Sequence, residues 1–309
     1  MNVAFCINRG GLRGLGVTLT SLFRNCTAPN TLQLWFLCAG LREPEKRAIN
    51  RLLQVEGFRG RHEFLDFDPA LHFGSLCSLH GDWTTYGRLL LADLIPEDRI
   101  LYLDSDLVIE VNVLEVQVHD FNGHPLAAVG GGQVRHTLGQ HFYIHKLGLA
   151  PDTEYFNAGV LLLNLREWRA KHIQEQCLKL ARQYPLELPS HDQSLLNVLL
   201  AGNFSKLPAA FNCEWLAHEP KPTQAESMIL HFVGSPKPWD PFGSLIHNGY
   251  ETWRRYADPE WEMTFGQLST DDFQKIWRLR RSYARSILHR LRSWPSRLAD
   301  PRLPSATTA

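Results

Sequence analysis

Arg99-Ile-Leu-Tyr-Leu-Asp-Ser-Asp-Leu-Val-Ile109 is the stretch whose reading decides the fold. An apolar run ends in two carboxylates spaced two residues apart, and a second apolar run follows at once. Short apolar runs of this kind are strands covered on both faces, as in parallel sheets. While the chain stays extended, side chains at i and i+2 point the same way, so Asp104 and Asp106 would share one side at the strand's carboxyl end. Two hard oxygen donors there suit Mg²⁺ or Mn²⁺, with phosphate oxygens completing the shell. The competing reading is a solvated turn, because Asp-x-Asp arises often by chance. The flanking apolar runs favour the cation, since buried carboxylates without one are costly.

Working outward, residues 3–8, 32–38, 62–67 and 100–103 read as strands. Residues 15–25, 44–55 and 84–94 read as helices, the last closed by Pro96. This alternation predicts an α/β fold of βαβ units with a mostly parallel sheet. Ligands of such sheets bind beyond the carboxyl ends of the strands. Beyond residue 104 the pattern loosens, with strands at 126–130, 159–163 and 228–233 and helices at 168–183 and 193–200.

Lys and Arg together number 32, as do Asp and Glu, so the 309-residue chain is formally neutral and gives no reason to expect a nucleic-acid partner. The six cysteines form no C-x-x-C pair and read as buried thiols rather than disulfides or a zinc site. The first residues lack the charged n-region of a signal peptide, and no run of eighteen apolar residues occurs. The expectation is a cytoplasmic protein.

Three further clusters carry chemistry. In His231-Phe-Val-Gly-Ser-Pro-Lys-Pro-Trp239, His231 can add an imidazole to the metal shell. Gly234 permits close backbone approach to phosphate, and Lys237 can pair with it. The bland alternative is a core histidine followed by a Pro-kinked loop. In Tyr155-Phe-Asn-Ala-Gly-Val160, Asn157 offers donor and acceptor beside two small residues. In Ser190-His-Asp-Gln-Ser194, Asp192 has a competing role as a helix N-cap, which would leave Gln193 an ordinary first-turn residue. Arg88 falls in the 84–94 helix, where an isolated arginine usually reaches solvent.

Five segments in this order, YGRLLLADLIP, ILYLDSDLVI, YFNAGVLLLNL, HDQSLLN and HFVGSPKPW, resemble the retaining family 8 glycosyltransferases. The likeness is strongest to bacterial lipopolysaccharide galactosyl- and glucosyltransferases. It implies a GT-A fold, a Rossmann-like mostly parallel sheet flanked by helices. It also implies a UDP-sugar donor, a saccharide or glycolipid acceptor such as lipopolysaccharide core, and Mn²⁺, with Mg²⁺ as the alternative. By position, Asp104, Asp106 and His231 would hold the metal. Arg88, Ser105, Asn157, Gly234 and Lys237 would contact the donor. Asp192 would bind donor-sugar hydroxyls, and Gln193 would lie near the anomeric carbon, with front-face attack assisted by the leaving phosphate. One stretch departs from the family: its members place an acidic residue, Asn and Tyr after the first strand to hold the uridine, and here stands Asn8-Arg9-Gly10-Gly11. Asn8 can still bond a base edge, but the aromatic platform is missing. The departure motivates a rival reading, a non-catalytic relative that binds nucleotide-sugar or glycan as a scaffold. A nucleotidyltransferase is disfavoured by the lack of a Gly-rich phosphate loop followed by Lys.

From Lys275 to Arg302 nine cationic residues stand against a single carboxylate, Asp300. On a helix, Ile276, Leu279, Tyr283, Ile287, Leu291 and Trp294 form one stripe with most arginines opposite. The organisation expected is a catalytic domain over 1–270, a basic amphipathic helical tail over 271–300 and a disordered end over 301–309. The tail would lie on an anionic membrane surface at the inner face of the plasma membrane, or dock on the domain with its arginines in water.

Overall fold

β1 (Asn2–Asn8) is buried at every interior position because alternate residues serve two different cores. Val3, Phe5 and Ile7 pack with Leu12, Leu15, Leu19 and Leu22 of α1 (Leu12–Asn25). Ala4 and Cys6 pack on the opposite face with Tyr86, Leu89 and Leu91. This is the period-2 pattern of a strand covered on both sides. The chain continues through β2 (Gln33–Ala39), α2 (Glu43–Val55) and β3 (Arg61–Phe67), with β1, β2 and β3 parallel in sequence order. The computed structural model describes residues 1–298 except 80, with side chains described except at 80, 270, 271 and 291–298.

After α3 (Pro69–Phe73), a run of tight 3-10 turns at Thr84–Leu90 and α4 (Leu91–Leu94) carry the chain back across the sheet. β4 (Arg99–Leu103) then pairs in parallel with β1 on the side away from β2. The winding direction therefore reverses between β1 and β4, which makes their carboxyl ends the topological switch point. β5 (Leu107–Ile109) leaves this sheet, and β6 (Leu126–Ala128) rejoins it. β7 (Gly132–Gln133) and β8 (Glu154–Tyr155) form a small antiparallel pair ahead of β9 (Val160–Asn164). Helices α5 (Leu165–Ala170), α6 (Ile173–Gln183) and α7 (His191–Leu200) follow, then β10 (Ser205–Lys206). Among the described residues the main sheet runs β10-β6-β9-β4-β1-β2-β3, with β9 antiparallel to both its neighbours. A second sheet joins β11 (Cys213–Glu214), β12 (Ile229–His231) and β5.

The C-terminal part is helical: α8 (Gly243–Ile246), α9 (Tyr250–Arg254), α10 (Pro259–Phe265), α11 (Thr270–Arg278) and α12 (Arg280–Leu298). α10 anchors on α1 where Gly16 makes room, since a Cβ there would lie 2.3 Å from Trp261 Nε1.

Besides the 84–94 helix, most of which is 3-10, two elements differ from the sequence reading. The 168–183 helix is broken at His172, whose φ of 51° is left-handed, so α5 and α6 are separate. The tail is likewise two helices meeting at Leu279, and this break resets the phase of the buried face. Tyr283 and Ser286 are buried and Arg290 donates to Asn248 Oδ1 at 2.7 Å, so α12 docks on the domain, while Ile287 is exposed. Tyr283 is thereby removed from any membrane-facing role. Leu291, Trp294 and the expected disordered end lie outside the described side chains. No helix among the described residues is long and apolar enough to cross a membrane.

Candidate active site at the switch point

The Asp-Ser-Asp triplet bridges the end of β4 and the start of β5, and the chain bends there rather than staying extended. Two strand ladders and a helix fix it. Asp104 donates its backbone N–H to Gly159 O at 2.8 Å, continuing the β4–β9 pairing. Phe232 donates its backbone N–H to Asp106 O at 3.1 Å, continuing β12–β5, where His231 stands opposite Leu107. α1 closes on the triplet from behind, since a Cβ at Gly14 would lie 2.3 Å from Ser105 O. As a result Asp104, Asp106 and His231 each bring one ligand atom within 4.8 Å of the others.

Each carboxylate commits one oxygen to supporting groups and turns the other inward. Asp104 Oδ1 accepts from Tyr102 Oη at 2.7 Å and from Arg88 Nη2 at 3.0 Å, leaving Oδ2 3.9 Å from His231 Nε2. Asp106 Oδ2 accepts from Lys237 Nζ at 2.6 Å. Its Oδ1 lies 3.2 Å from His231 Nε2, is buried, and has no hydrogen-bond partner among the described residues. Asn212 Oδ1 is 3.0 Å from His231 Nδ1, and Asn212 spends its own N–H groups on Asn157. His231 therefore carries a proton on Nδ1 and presents Nε2 to the carboxylates, the usual arrangement behind a metal-binding imidazole. Burial works against charge on His231, but Asp106 and Asp104 outweigh it and raise its pKa. Burial likewise opposes ionisation of Asp106, yet Lys237 and His231 hold its pKa below the usual carboxylate range. The orphaned Oδ1 and this O, O, N donor set fit a divalent cation such as Mn²⁺ or Mg²⁺. Gly159 is required for closeness, as a Cβ there would lie 2.2 Å from His231 Cε1.

Arg88 is the connecting cation, contrary to the solvent-reaching arginine expected from its helix. It is 3% exposed, stacks 4.3 Å over the Tyr102 ring, and donates to Ala158 O. The 3-10 winding of Thr84–Leu90 turns it inward. Its Nε is 2.8 Å from Asp192 Oδ2 while that N–H points to Thr85 O, so charge rather than a directed hydrogen bond holds the pair. Burial would lower the Arg88 pKa, but Asp104 and Asp192 together raise it. Asp192 is no N-cap. Ser190 occupies that position, and Asp192 is buried with its pKa raised by desolvation despite Arg88. Gln193 accepts from the Ala158 N–H and donates to Tyr155 Oη, both at 2.9 Å, so its amide is occupied in holding the 155–158 loop. Asn157 Oδ1 accepts from the Gly159 N–H at 2.8 Å. Gly234 has a φ of +70°, a left-handed conformation that favours glycine. Asn8 lies at the rim, where Oδ1 accepts from the Gly11 N–H at 2.9 Å and Nδ2 donates to Asp82.

A profile of Glycosyl transferase family 8 matches residues 2–242. The chain belongs to that family. It is 24% identical over 258 residues to General stress protein A of Bacillus subtilis, covering 78% of this chain and 87% of the relative. It is 29% identical over 182 residues to the lipopolysaccharide 1,3-galactosyltransferase of Salmonella typhimurium, covering 55% of this chain and 53% of the relative. Several relatives are longer, and the match spans only 24% of Streptococcus pneumoniae GlyA. The galactosyltransferase LgtC, solved with donor and acceptor sugar analogues, superposes with a TM-score of 0.70 at 26% identity, covering 85% of this chain and 99% of that one. The sheet and flanking helices of the family 8 chain are thus the GT-A fold.

Tyr102 and Asn212 were not singled out from the sequence. Tyr102 sits two residues before Asp104, a spacing that could have marked it. Asn212 has no local signal and reaches the site only because β11 pairs with β12.

Proposed function

We propose that this family 8 protein transfers a hexose from a UDP-sugar to a saccharide acceptor, such as lipopolysaccharide core, with retention of configuration. The observation carrying this reading is the inward convergence of Asp104, Asp106 and His231, each braced from outside, at the switch point of the sheet. Mn²⁺ or Mg²⁺ held by these three would neutralise charge gathering on the departing diphosphate. Lys237, already 2.6 Å from Asp106, adds a second positive charge for phosphate oxygens. Arg88 fixes Asp104 and Asp192 relative to each other, so Asp192 can orient donor-sugar hydroxyls. Gln193, engaged at both ends of its amide, positions the 155–158 loop instead of attacking carbon. The acceptor hydroxyl then attacks the anomeric carbon from the face of the departing diphosphate. The bond to phosphate breaks, the glycosidic bond forms, and a diphosphate oxygen takes the hydroxyl proton.

Purified protein with Mn²⁺ should slowly hydrolyse at least one of UDP-glucose, UDP-galactose and their N-acetyl forms. Binding of none of these, with or without metal, refutes the reading. Binding without turnover across donors and acceptors would favour the scaffold alternative. At the cell level, the protein would work at the inner face of the plasma membrane, with exposed Arg280, Arg281, Arg285 and Trp277 against anionic lipid. Arg281→Glu with Arg285→Glu should then release it from anionic vesicles, and unchanged partitioning would refute the contact.

A further inference from the structure

Beside the metal ligands, a cavity of 380 Å³ opens at the carboxyl end of β1. It is lined by Asn8, Gly10, Leu79 and Asp82 and, from the C-terminal part, by Lys275, Arg278 and Leu279. The last three belong to α11 and its junction with α12, beyond residue 242 where the family match ends. α11 is latched in place. Lys275 Nζ donates to Asp240 Oδ1 at 2.7 Å, and Asp240 Oδ2 accepts the Lys237 backbone N–H at 2.8 Å. The helix is therefore tied to the loop that presents Lys237 to Asp106.

We infer that α11 is a wall of the donor site and takes the nucleoside of the donor; the inference rests on the proposed function above. Three observations carry it. The cavity lies at the switch point, where α/β sheets bind nucleotides, and its size suits one small ligand. Its walls combine apolar Leu79 and Leu279 with the planar guanidinium of exposed Arg278, which has no ion pair or hydrogen bond among the described residues. Finally, Asn8-Arg9-Gly10-Gly11 supplies no aromatic ring on which a base could stack. A guanidinium plane provides the alternative face, since arginine stacks on aromatic rings and is weakly hydrated. Leu79 and Leu279 bracket the base, and Arg278 covers it, while the diphosphate reaches toward Lys237 and the carboxylates.

The test uses full-length protein with Mn²⁺ and calorimetric titration of UDP and, separately, inorganic pyrophosphate. Arg278→Ala should weaken UDP about five- to tenfold, the range of one lost stacking contact, and leave pyrophosphate unchanged. Leu279→Ser should act in the same direction, whereas Arg281→Ala, outside the cavity, should change neither. Wild-type UDP affinity in both Arg278→Ala and Leu279→Ser overturns the inference. So does equal weakening of UDP and pyrophosphate, which would place Arg278 on the diphosphate. Wild-type protein that binds pyrophosphate but not UDP overturns the inference and spares the metal site. Failure to bind either ligand rejects the proposed function, and the inference falls with it.

Discussion

On one side of the crevice, Asp104, Asp106 and His231 are each held from behind, by buried Arg88 and Tyr102, by half-buried Lys237 and by buried Asn212. On the other side, Asn8, Leu79 and Arg278 surround an open cavity whose far wall is a C-terminal helix. The metal side draws on β4, β5, β11 and β12, the loops after β4 and β12, and the 3-10 run that carries Arg88, so few of its residues can move independently. The nucleoside side is assembled from a loop and a latched helix. The first arrangement suits charge, which needs fixed, pre-oriented partners. The second suits a base, which mainly needs flat apolar surface. The contrast also predicts where substitutions will be felt as lost chemistry, where as lost stability, and where as lost affinity alone.

The largest effect should come from Asp106→Asn, which keeps shape and removes charge. Turnover of the best UDP-hexose should fall by about 10³-fold or more, roughly 4 kcal/mol of barrier. A variant retaining a tenth of wild-type turnover would detach Asp106 from the metal. Arg88→Ala comes next, because it strands Asp104 and Asp192 without their shared cation. Chemical denaturation should show a loss of about 3–5 kcal/mol, partly recovered by adding Asp192→Asn. Unfolding at the wild-type midpoint would show that the buried pair does not brace this side. Arg278→Ala, on the opposite wall, should leave that midpoint alone, and a comparable loss there would dissolve the contrast.

Asn212→Leu should weaken Mn²⁺ binding about 10- to 100-fold with the fold intact, the usual cost of removing a group that orients a metal-binding histidine. Equal Mn²⁺ affinities in a titration monitored by electron paramagnetic resonance would remove Asn212 from this role. The last effect is absent near neutral pH and grows only on acidification; it concerns His247, buried among Trp215 and Phe232. Burial, helped by Lys237, pushes its pKa down from 6.5 to about 3. Its neutral form is fully compatible with folding above pH 6.5. Below that value the unfolded chain gains a proton that the folded one refuses, so stability falls by up to about 1.4 kcal/mol per pH unit until about pH 3. His247→Gln should flatten this part of the stability profile relative to wild type, and coincident slopes would exclude His247 as a source.

Much of the architecture was legible because it rests on short-range patterns. The apolar runs at 3–8, 32–38 and 100–103 are strands, and Asp104, Asp106 and His231 could be named from strand ends alone. Arg88 was misread by its local pattern, since 3-10 winding changes which face a residue occupies. Asp192 resembled a cap because a helix begins beside it, and only its contact with Arg88 reveals the different role. The tail stripe slipped at Ile287, because a helical periodicity read through residue 279 cannot register a break there.

Residue order alone determined the longer strands, the family and the identity of the charged groups, since these follow from periodicity and from which side chains can ligate or pair. Tertiary structure decided what those groups do to one another. Pairing of β12 with β5 carried His231 across more than a hundred residues to Asp106, and β11 brought Asn212 behind it. The latch between Lys275 and Asp240 then set a C-terminal helix over the end of β1. Such contacts depend on register and packing between distant segments, and no local window of sequence contains them.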